Sequence, residues 1–306
     1  MADTLVMDVQ LDVDASAGAF AELTCRWIDE MSAAIRPQVR AALAGQPAKL
    51  AASGEPGTPF GVLGVTRGYR ETTRNCSTAG LQWLWAELGK GQPSRADLWC
   101  GVHDEHGARR WQTLVLDVTH DAVKSPGWLA LSGNPLVSSF LDPMTGLDEQ
   151  RLWLEALFTF ADRVNPGFGH ISLYYDGGTT ALERAVPTTM PFAARYREYA
   201  LNECRRYLRG YSWVTIVPEE LLPRVGGVSR LRDSGAFTQV RPLAGGGVWL
   251  QATDDYREFD DVALGRVFEA VAPALRPGLP RDLGRPMHGE NPLRVVLRDA
   301  AELGAE

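Results

Sequence analysis

Signatures of covalent cross-linking, membrane insertion and secretion are missing from this sequence of 306 residues. Its four cysteines are scattered and form no CxxC pair. That spacing argues against a zinc site or a disulfide framework and favours buried free thiols in a reducing compartment. No run approaches the roughly 20 apolar residues of a transmembrane helix, and the first residues lack the basic segment of a secretory signal. We therefore expect a cytoplasmic protein that does not contact a membrane.

An excess of positive charge is also missing, because the formal net charge is -7. A general nucleic-acid binder needs a basic surface, so direct binding of nucleic acid is not expected. Mild acidity has two interpretations. It is ordinary for a soluble cytoplasmic protein, and it also suits a partner with a basic surface, since opposite fields steer association.

Motifs of catalysis are absent as well. The sequence contains no GxSxG elbow, no HExxH helix and no P-loop. The three glycines at 245–247 lack the lysine and the strand-to-helix setting of a phosphate-binding loop, so they predict a turn. We expect no cofactor, no metal and no enzymatic activity.

Two histidine positions nevertheless deserve comparison with catalytic or metal sites. His103 and His106 flank Asp104 and Glu105, and these four residues form either a metal-binding set or the solvated tip of a turn. The solvated tip is favoured, because the ligands of a metal must converge from a rigid frame. His170 lies in a strand-like segment and is either a general base beside a carboxylate, such as Asp162 or Asp176, or a structural histidine. The structural interpretation is favoured there too.

The most regular part of the sequence runs from Gly210 to Thr253. It begins with a β-branched and aromatic run that predicts a buried strand, and Pro218 with two glutamates then starts a short helix that Gly226 and Gly227 end. A second short helix and a hairpin follow. The predicted elements are a strand at 212–217, helices from 218 and over 228–233, and strands at 237–243 and 248–253 around the turn 244–247.

This segment carries a resemblance to a known family. The successive motifs GYSWVT (210–215), PEEL (218–221), VGG (225–227) and VRPLAGGGVWL (240–250) resemble those of the bacterial type VI immunity family, long catalogued as a domain of unknown function. The resemblance is sharpest over 210–253 and extends more loosely back to about residue 60. It implies a cytoplasmic antidote that binds and blocks a toxin delivered by neighbouring cells, in some cases a VRR-type nuclease. It implies no catalytic residue.

Hydrophobic periodicity predicts the remaining elements. Residues 5–13 alternate apolar side chains with Asp8 and Asp12, which predicts a half-exposed strand of the kind found at a sheet edge. Residues 17–43 predict a helix capped by Ser16 and kinked or split at Pro37. The other predicted helices cover 79–88, 148–164 with Asp148 as cap, part of 189–208, and 262–275; the other predicted strands cover 60–66, 97–103, 110–118, 128–131, 169–175 and 295–297.

Hairpins mixed with helices predict an α+β fold whose sheet is largely antiparallel, with helices packed against it. No linker rich in glycine separates two domains, so we expect a single domain over residues 1–306. Helix, strand and hairpin recur in both parts of the chain, which leaves open two weakly related α+β halves at 1–145 and 146–306.

Partner contacts are predicted from exposed acids and from aromatic residues, which dominate binding hot spots. The acids could meet a basic toxin surface, or they could be a solvated loop that suits a helix N-terminus. Trp83 and Trp85 are two apart on one helix and cannot share a face, so one is expected to be exposed. The candidate set is Asp254, Asp255, Tyr256, Glu258, Asp260, Asp261, Glu219, Glu220, Trp83 and Trp85.

Three functions follow from these observations. The first is an immunity protein that neutralises a cognate secreted toxin by occluding its active site. The second is an enzyme of unrecognised type that uses His170 or His103 with a carboxylate. The third is a structural component of a phage or secretion particle.

Overall fold

The computed structural model describes residues 5–15, 20–109, 111–186, 190, 196–284 and 290–303. The strands in this part of the chain are β1 (Met7–Asp14), β2 (Pro59–Arg67), β3 (Arg70–Asn75), β4 (Arg95–Val102), β5 (Trp111–Thr119), β6 (Trp128–Gly133), β7 (Pro166–Leu173), β8 (Val214–Val217), β9 (Gln239–Pro242) and β10 (Val248–Gln251). The α-helices are α1 (Phe20–Ile35), α2 (Pro37–Leu43), α3 (Thr78–Leu88), α4 (Val137–Leu141), α5 (Gly146–Ala161), α6 (Ala181–Arg184), α7 (Arg197–Glu203), α8 (Gly227–Asp233) and α9 (Asp261–Val271).

These elements form two compact units. Residues 15–135 form a unit that is continuous in sequence, and residues 1–14 with 136–306 form a discontinuous one. Helices and antiparallel strands occur in both units, which confirms the predicted α+β class. The single domain over 1–306, with its alternative division at residue 145, stays a prediction.

The continuous unit has five antiparallel strands in the order β3-β2-β4-β5-β6. Helix α1 packs on β4, β5 and β6, and α3 packs on α1, β2 and β3. The side chain of Trp27 is completely buried, and its Nε1 donates to the Ser132 carbonyl at 3.1 Å, which ties α1 to β6. Burial of one apolar helix face against the sheet thus builds the core of this unit.

The discontinuous unit has the strand order β1-β7-β8-β10-β9, again antiparallel. Helix α5 packs on β1 and on α4, and α8 packs on β9. The β9–β10 hairpin closes through residues 243–247, where Gly246 and Gly247 adopt positive φ angles that glycine reaches without steric cost. The predicted turn at 244–247 is confirmed, as are β8 and the second short helix, which is α8.

Strand β1 is buried on both faces, so the prediction of a half-exposed strand is wrong. Its apolar residues are fully covered, and Asp8, Gln10 and Asp12 on the other face are at most 1% exposed. The alternation of apolar and acidic residues suggested solvent on one face, because isolated charges are rarely buried. Partner groups from distant parts of the chain, described below, permit this burial.

Several predicted boundaries need correction. Pro37 does split the first helix, into α1 and α2, while Ser16 lies outside the described residues. Asp148 does not cap α5; it lies inside the first turn, and Thr145 occupies the cap position. Residues 295–297 form no strand but part of an irregular segment. The turn after Pro218 is a 3-10 helix, Glu219–Leu221, and β3, α4 and α6 were not predicted.

A buried carboxylate lies on the sheet of the continuous unit. Asp97 on β4 is 5% exposed, and its Oδ2 is 3.2 Å from the Arg95 Nε, which also donates to Asp117 at 2.8 Å. Burial raises the pKa of Asp97 to about 6; Arg95 opposes this rise, while Asp117 and Glu71 add to it. This carboxylate is therefore destabilising when it is ionised.

We expect Asp97→Asn to stabilise the protein in a pH-dependent way. The folded-state pKa lies above the ordinary value of 3.8, so the folded state binds the proton more tightly and wild-type stability falls as the pH rises from about 4 to above about 6. The asparagine variant should gain about 2–3 kcal/mol over wild type at about pH 8 and almost nothing at about pH 4. Urea unfolding at both pH values measures the difference, and a difference independent of pH contradicts the assignment.

Candidate functional site

The acidic residues 254–261 follow β10 in the discontinuous unit and are held by a rigid frame. Trp213 Nε1 donates to the Thr253 carbonyl at 2.9 Å, and Thr253 Oγ1 donates to the Asp255 carbonyl at 2.7 Å. Gln150 on α5 donates to Asp255 Oδ1 at 3.1 Å and accepts from the Tyr256 amide at 2.9 Å. The segment is therefore pinned at its start by a buried tryptophan and by a buried glutamine.

Within this segment, some of the candidate residues support the structure. Asp255 caps the 3-10 helix Tyr256–Glu258 and is paired with Arg257 at 2.6 Å. Partial burial raises the pKa of Asp255, but hydrogen bonds from Arg257 and Gln150 outweigh it and hold that pKa below its usual range. Asp260 caps α9 by accepting from the Ala263 amide at 2.8 Å. Tyr256 is buried against Phe140 and Trp213, so its ring is not available to a partner.

The remaining acids of this segment face solvent. Asp254 and Glu258 are exposed, and the side chain of Asp261 is 98% exposed, with its Oδ1 3.6 Å from an Arg294 Nη2. Val262 beside them is also exposed. We call Asp254, Glu258, Asp260 and Asp261 the acidic edge. It presents four carboxylates on a short, fixed stretch of backbone.

The two predicted acidic sets are not brought together. Val217 pairs with Val248, and Val214 pairs with Gln251. The two strands are therefore antiparallel, and the segments that follow β8 and β10 begin at opposite ends of the strand pair. Four-residue strands separate those ends by about 10 Å. Glu219 and Glu220 follow β8 and are exposed, and Glu220 accepts two hydrogen bonds from Arg205 at 2.7 and 2.8 Å. They form a second acidic site distinct from the acidic edge.

The two tryptophans of the candidate set lie on α3 of the continuous unit. Trp85 is 48% exposed, whereas Trp83 is half-buried with the Arg74 guanidinium 5.2 Å from its ring centre. The prediction that one of the pair is exposed is confirmed. The Trp83 ring therefore makes a cation–π contact with an arginine of the same unit.

His103 and His106, the pair that flanks Asp104 and Glu105, lie in different environments. His103 is buried, with its Nδ1 3.0 Å from the Thr58 carbonyl oxygen and its ring packed on Phe60, so the prediction of a solvated tip is wrong for this residue. His106 is exposed beside Glu105. In the described part of the chain no three groups of the kind that bind metals converge.

His170 is sealed inside the discontinuous unit at 1% exposure. Its Nε2 is 3.2 Å from Asp8 Oδ2 and 3.5 Å from Ser172 Oγ. A nucleophile relay needs the acid and the hydroxyl on opposite ring nitrogens, and here both approach the same one. Asp162, proposed as a neighbour, instead accepts from the Ala244 amide at 2.7 Å, and the side chain of Asp176 lies outside the described residues.

A buried ionic cluster was missed from the sequence. The Arg209 guanidinium donates to both carboxylate oxygens of Glu183 at 2.7 and 2.9 Å, to the Gly178 carbonyl at 3.0 Å and to Asp12. Glu183 also completes a capping box with Thr180 at the start of α6. The polar residues at alternate positions of β1 were the only signal, and nothing in the sequence assigned them to Arg209.

Comparison with known proteins shows a fold shared with a solved structure. No protein-family model and no curated protein matches the chain. Among solved structures, the Pseudomonas aeruginosa T6SS protein PA0821 is similar, with a TM-score of 0.55 and 15% sequence identity, over 98% of this chain and 81% of that one. At this identity the likeness shows a shared fold.

None of the helices in the described ranges has the length and apolar character that crossing a membrane requires.

Proposed function

We propose that this protein is a type VI immunity protein that binds a cognate toxin and occludes its active site. The observation that carries the proposal is the fold shared, over nearly the whole chain, with a protein named for the type VI secretion system. The motifs at 210–253 support the same assignment, since they resemble those of the immunity family and fold here into one strand, helix and hairpin unit. The proposed site of action is the cytoplasm.

The acidic edge supplies the chemistry for recognising such a toxin. Asp254, Glu258 and Asp261 are exposed on a backbone segment that hydrogen bonds already hold, so binding needs to order little backbone. A basic groove, such as the nucleic-acid site of a nuclease, would meet these carboxylates in place of phosphates. An inhibitory interface buries roughly 1,600 Å², which requires shape complementarity well beyond this edge.

An inhibitory role without catalysis agrees with the state of the histidines. The sealed His170 shares one ring nitrogen between Asp8 and Ser172, and His103 bonds to backbone. A general base must reach its substrate within hydrogen-bonding distance. Both side chains are therefore proposed to stabilise the fold.

The test is co-expression with the product of the adjacent gene. Rescue of growth, together with a stable complex of fixed stoichiometry, supports the antidote. A harmless neighbour product that binds nothing contradicts it. Self-assembly of the purified protein into large particles, measured by light scattering, would instead support a structural component.

Charge reversal at the acidic edge should slow toxin binding. We expect Asp254→Lys, Glu258→Lys and Asp261→Lys together to lower the association rate constant at low salt about tenfold and to flatten its salt dependence. Asp255 and Asp260 are left unchanged because they hold the local structure. Stopped-flow or surface-plasmon kinetics at several salt concentrations measures both quantities.

A control variant distinguishes the effect of charge at the acidic edge from the effect of the net charge of the protein. Glu155→Lys, Asp233→Lys and Glu302→Lys change the net charge equally at exposed positions of the same unit. Only the acidic-edge variant should bind slowly. Equal effects in the two variants mean that the acidic edge has no specific role, while rescue of growth by wild type still establishes the antidote.

A further inference from the structure

Three arginines from separate segments of the discontinuous unit surround one tyrosine ring, and we call them the arginine cluster. The guanidinium carbons of Arg206 and Arg224 each lie 5.2 Å from the centre of the Tyr207 ring, and that of Arg276 lies 4.6 Å from it. Arg224 Nη1 also donates to the Arg206 carbonyl. Like charges repel at such short separations, so this arrangement costs free energy that a bound anion would offset.

The backbone around the ring is fixed by hydrogen bonds. The Tyr207 amide donates to the Glu203 carbonyl at 2.8 Å in the turn that follows α7. The Leu208 amide donates to the Ala274 carbonyl at 2.9 Å, which holds that turn against the segment that carries Arg276. The tyrosine and its arginines are therefore brought together by the fold, although they are distant in sequence.

Two members of the arginine cluster have no acidic partner in the described part of the chain. Arg276 pairs with Glu203, and its side chain is 26% exposed. Arg206 and Arg224 are exposed, and neither forms an ion pair with a described carboxylate. The cluster therefore presents two uncompensated positive charges on a protein whose formal net charge is -7.

A small cavity of about 50 Å³ lies beside the cluster, and Tyr207 and Arg276 both line it. This volume holds roughly four water molecules or a small apolar group. Its apolar wall consists of Leu182, Val186, Ala200 and Leu208. Two carboxylates also line it, but each is already paired with an arginine, Glu183 with Arg209 and Glu203 with Arg276. The cavity itself therefore adds no uncompensated negative charge.

We propose that the arginine cluster and this cavity form a binding site for a phosphate monoester that carries a small apolar group. Such a monoester has a charge of about -1.5 to -2 at pH 7, which matches two uncompensated guanidinium groups better than a carboxylate does. Guanidinium groups donate paired hydrogen bonds to phosphate oxygens, and stacking on an aromatic ring leaves their N–H edges available. The apolar group occupies the cavity. This site does not depend on the acidic edge or on the proposed toxin.

The test is isothermal titration calorimetry of the full chain with propyl phosphate at low salt. Propyl phosphate should bind at one site, and inorganic phosphate should bind more weakly, by about fourfold for each CH₂ group that the ester buries. Butyrate, which has a similar chain but a single charge, should also bind more weakly. The proposal is overturned if propyl phosphate does not bind, or if it binds no better than inorganic phosphate or butyrate.

Arginine variants locate the site. Arg206→Gln and Arg224→Gln should each weaken binding of propyl phosphate about tenfold, because each removes charge-assisted hydrogen bonds to the phosphate. Arg232→Gln is the matched control, since it removes an equal charge at an exposed position of the same unit. Equal losses in all three variants would mean attraction by net charge alone and would contradict the site.

A cavity variant tests the apolar half of the site. Ala200→Leu fills part of the cavity, so propyl phosphate should lose its advantage over inorganic phosphate while binding of inorganic phosphate is retained. An unchanged preference for the ester in this variant would place the apolar group elsewhere. The comparison of the three anions on wild type decides the proposal even if a variant fails to fold.

Discussion

Arg209→Met is expected to lower the free energy of unfolding by about 3–5 kcal/mol, because it leaves buried carboxylates without their counter-charge. The guanidinium is completely buried, and it is bonded to both Glu183 and Asp12. Those two carboxylates come from segments about 170 residues apart in sequence, so the arginine links the start of the chain to its second half. Urea unfolding followed by circular dichroism gives the change.

Arg205→Met is the matched control for this experiment. Arg205 also pairs with a carboxylate, since its Nη1 donates to both oxygens of Glu220, but that pair is partly exposed. Its loss should cost at most about 1 kcal/mol. Arg209→Lys should fall between the two, since an ammonium keeps the charge but cannot form the forked hydrogen bonds. Equal small losses in both arginine-to-methionine variants would mean that the buried cluster is not required.

Trp213→Ala should have a comparable effect, about 3–5 kcal/mol, through loss of a large buried ring. The Trp213 side chain is completely buried against Phe140 and Tyr256, and its Nε1 bonds to Thr253. Trp85→Ala, which truncates an exposed ring, is the control and should change stability little. Urea unfolding followed by circular dichroism avoids the fluorescence that the substitutions remove.

Trp213 also connects stability to the proposed binding surface. Thr253 accepts from Trp213 and donates to the Asp255 carbonyl, so the ring positions the first residues of the acidic edge. At urea concentrations below the unfolding midpoint of each variant, Trp213→Ala should therefore weaken binding of the proposed toxin more than Arg209→Met does. Equal binding by the two folded variants would mean that Trp213 does not position the acidic edge for binding.

The sequence predicted local structure best where local chemistry decides it. Pro37 ends α1 because proline lacks an amide proton, and Gly246 and Gly247 close a turn because only glycine adopts the required positive φ angles cheaply. The strand, helix and hairpin of 210–253 follow from such signals. The short helix after Pro218 is a 3-10 turn, a distinction that the spacing of apolar residues does not make.

Burial of charge could not be predicted in the same way. Asp8 and Asp12 suggested a solvated face because their partners, His170 and Arg209, lie far along the chain. His103 suggested a turn tip because acidic residues follow it, although Thr58 and Phe60 cover its ring. For the candidate site, exposure at Trp85 and along the acidic edge agreed with the sequence, whereas Tyr256 proved to be part of the core.

The pairing of β1 with β7 has a consequence for the order of synthesis. Residues 7–14 pair with residues 166–173, and the whole continuous unit is encoded between them. At ribosomal rates β1 waits roughly 10–30 s for β7 to be made. During that time the strand carries two acidic side chains, Asp8 and Asp12, among its apolar residues, a pattern that disfavours pairing with other unfolded strands. The acidic residues that are buried in the finished sheet therefore also interrupt the apolar surface of the unpaired strand.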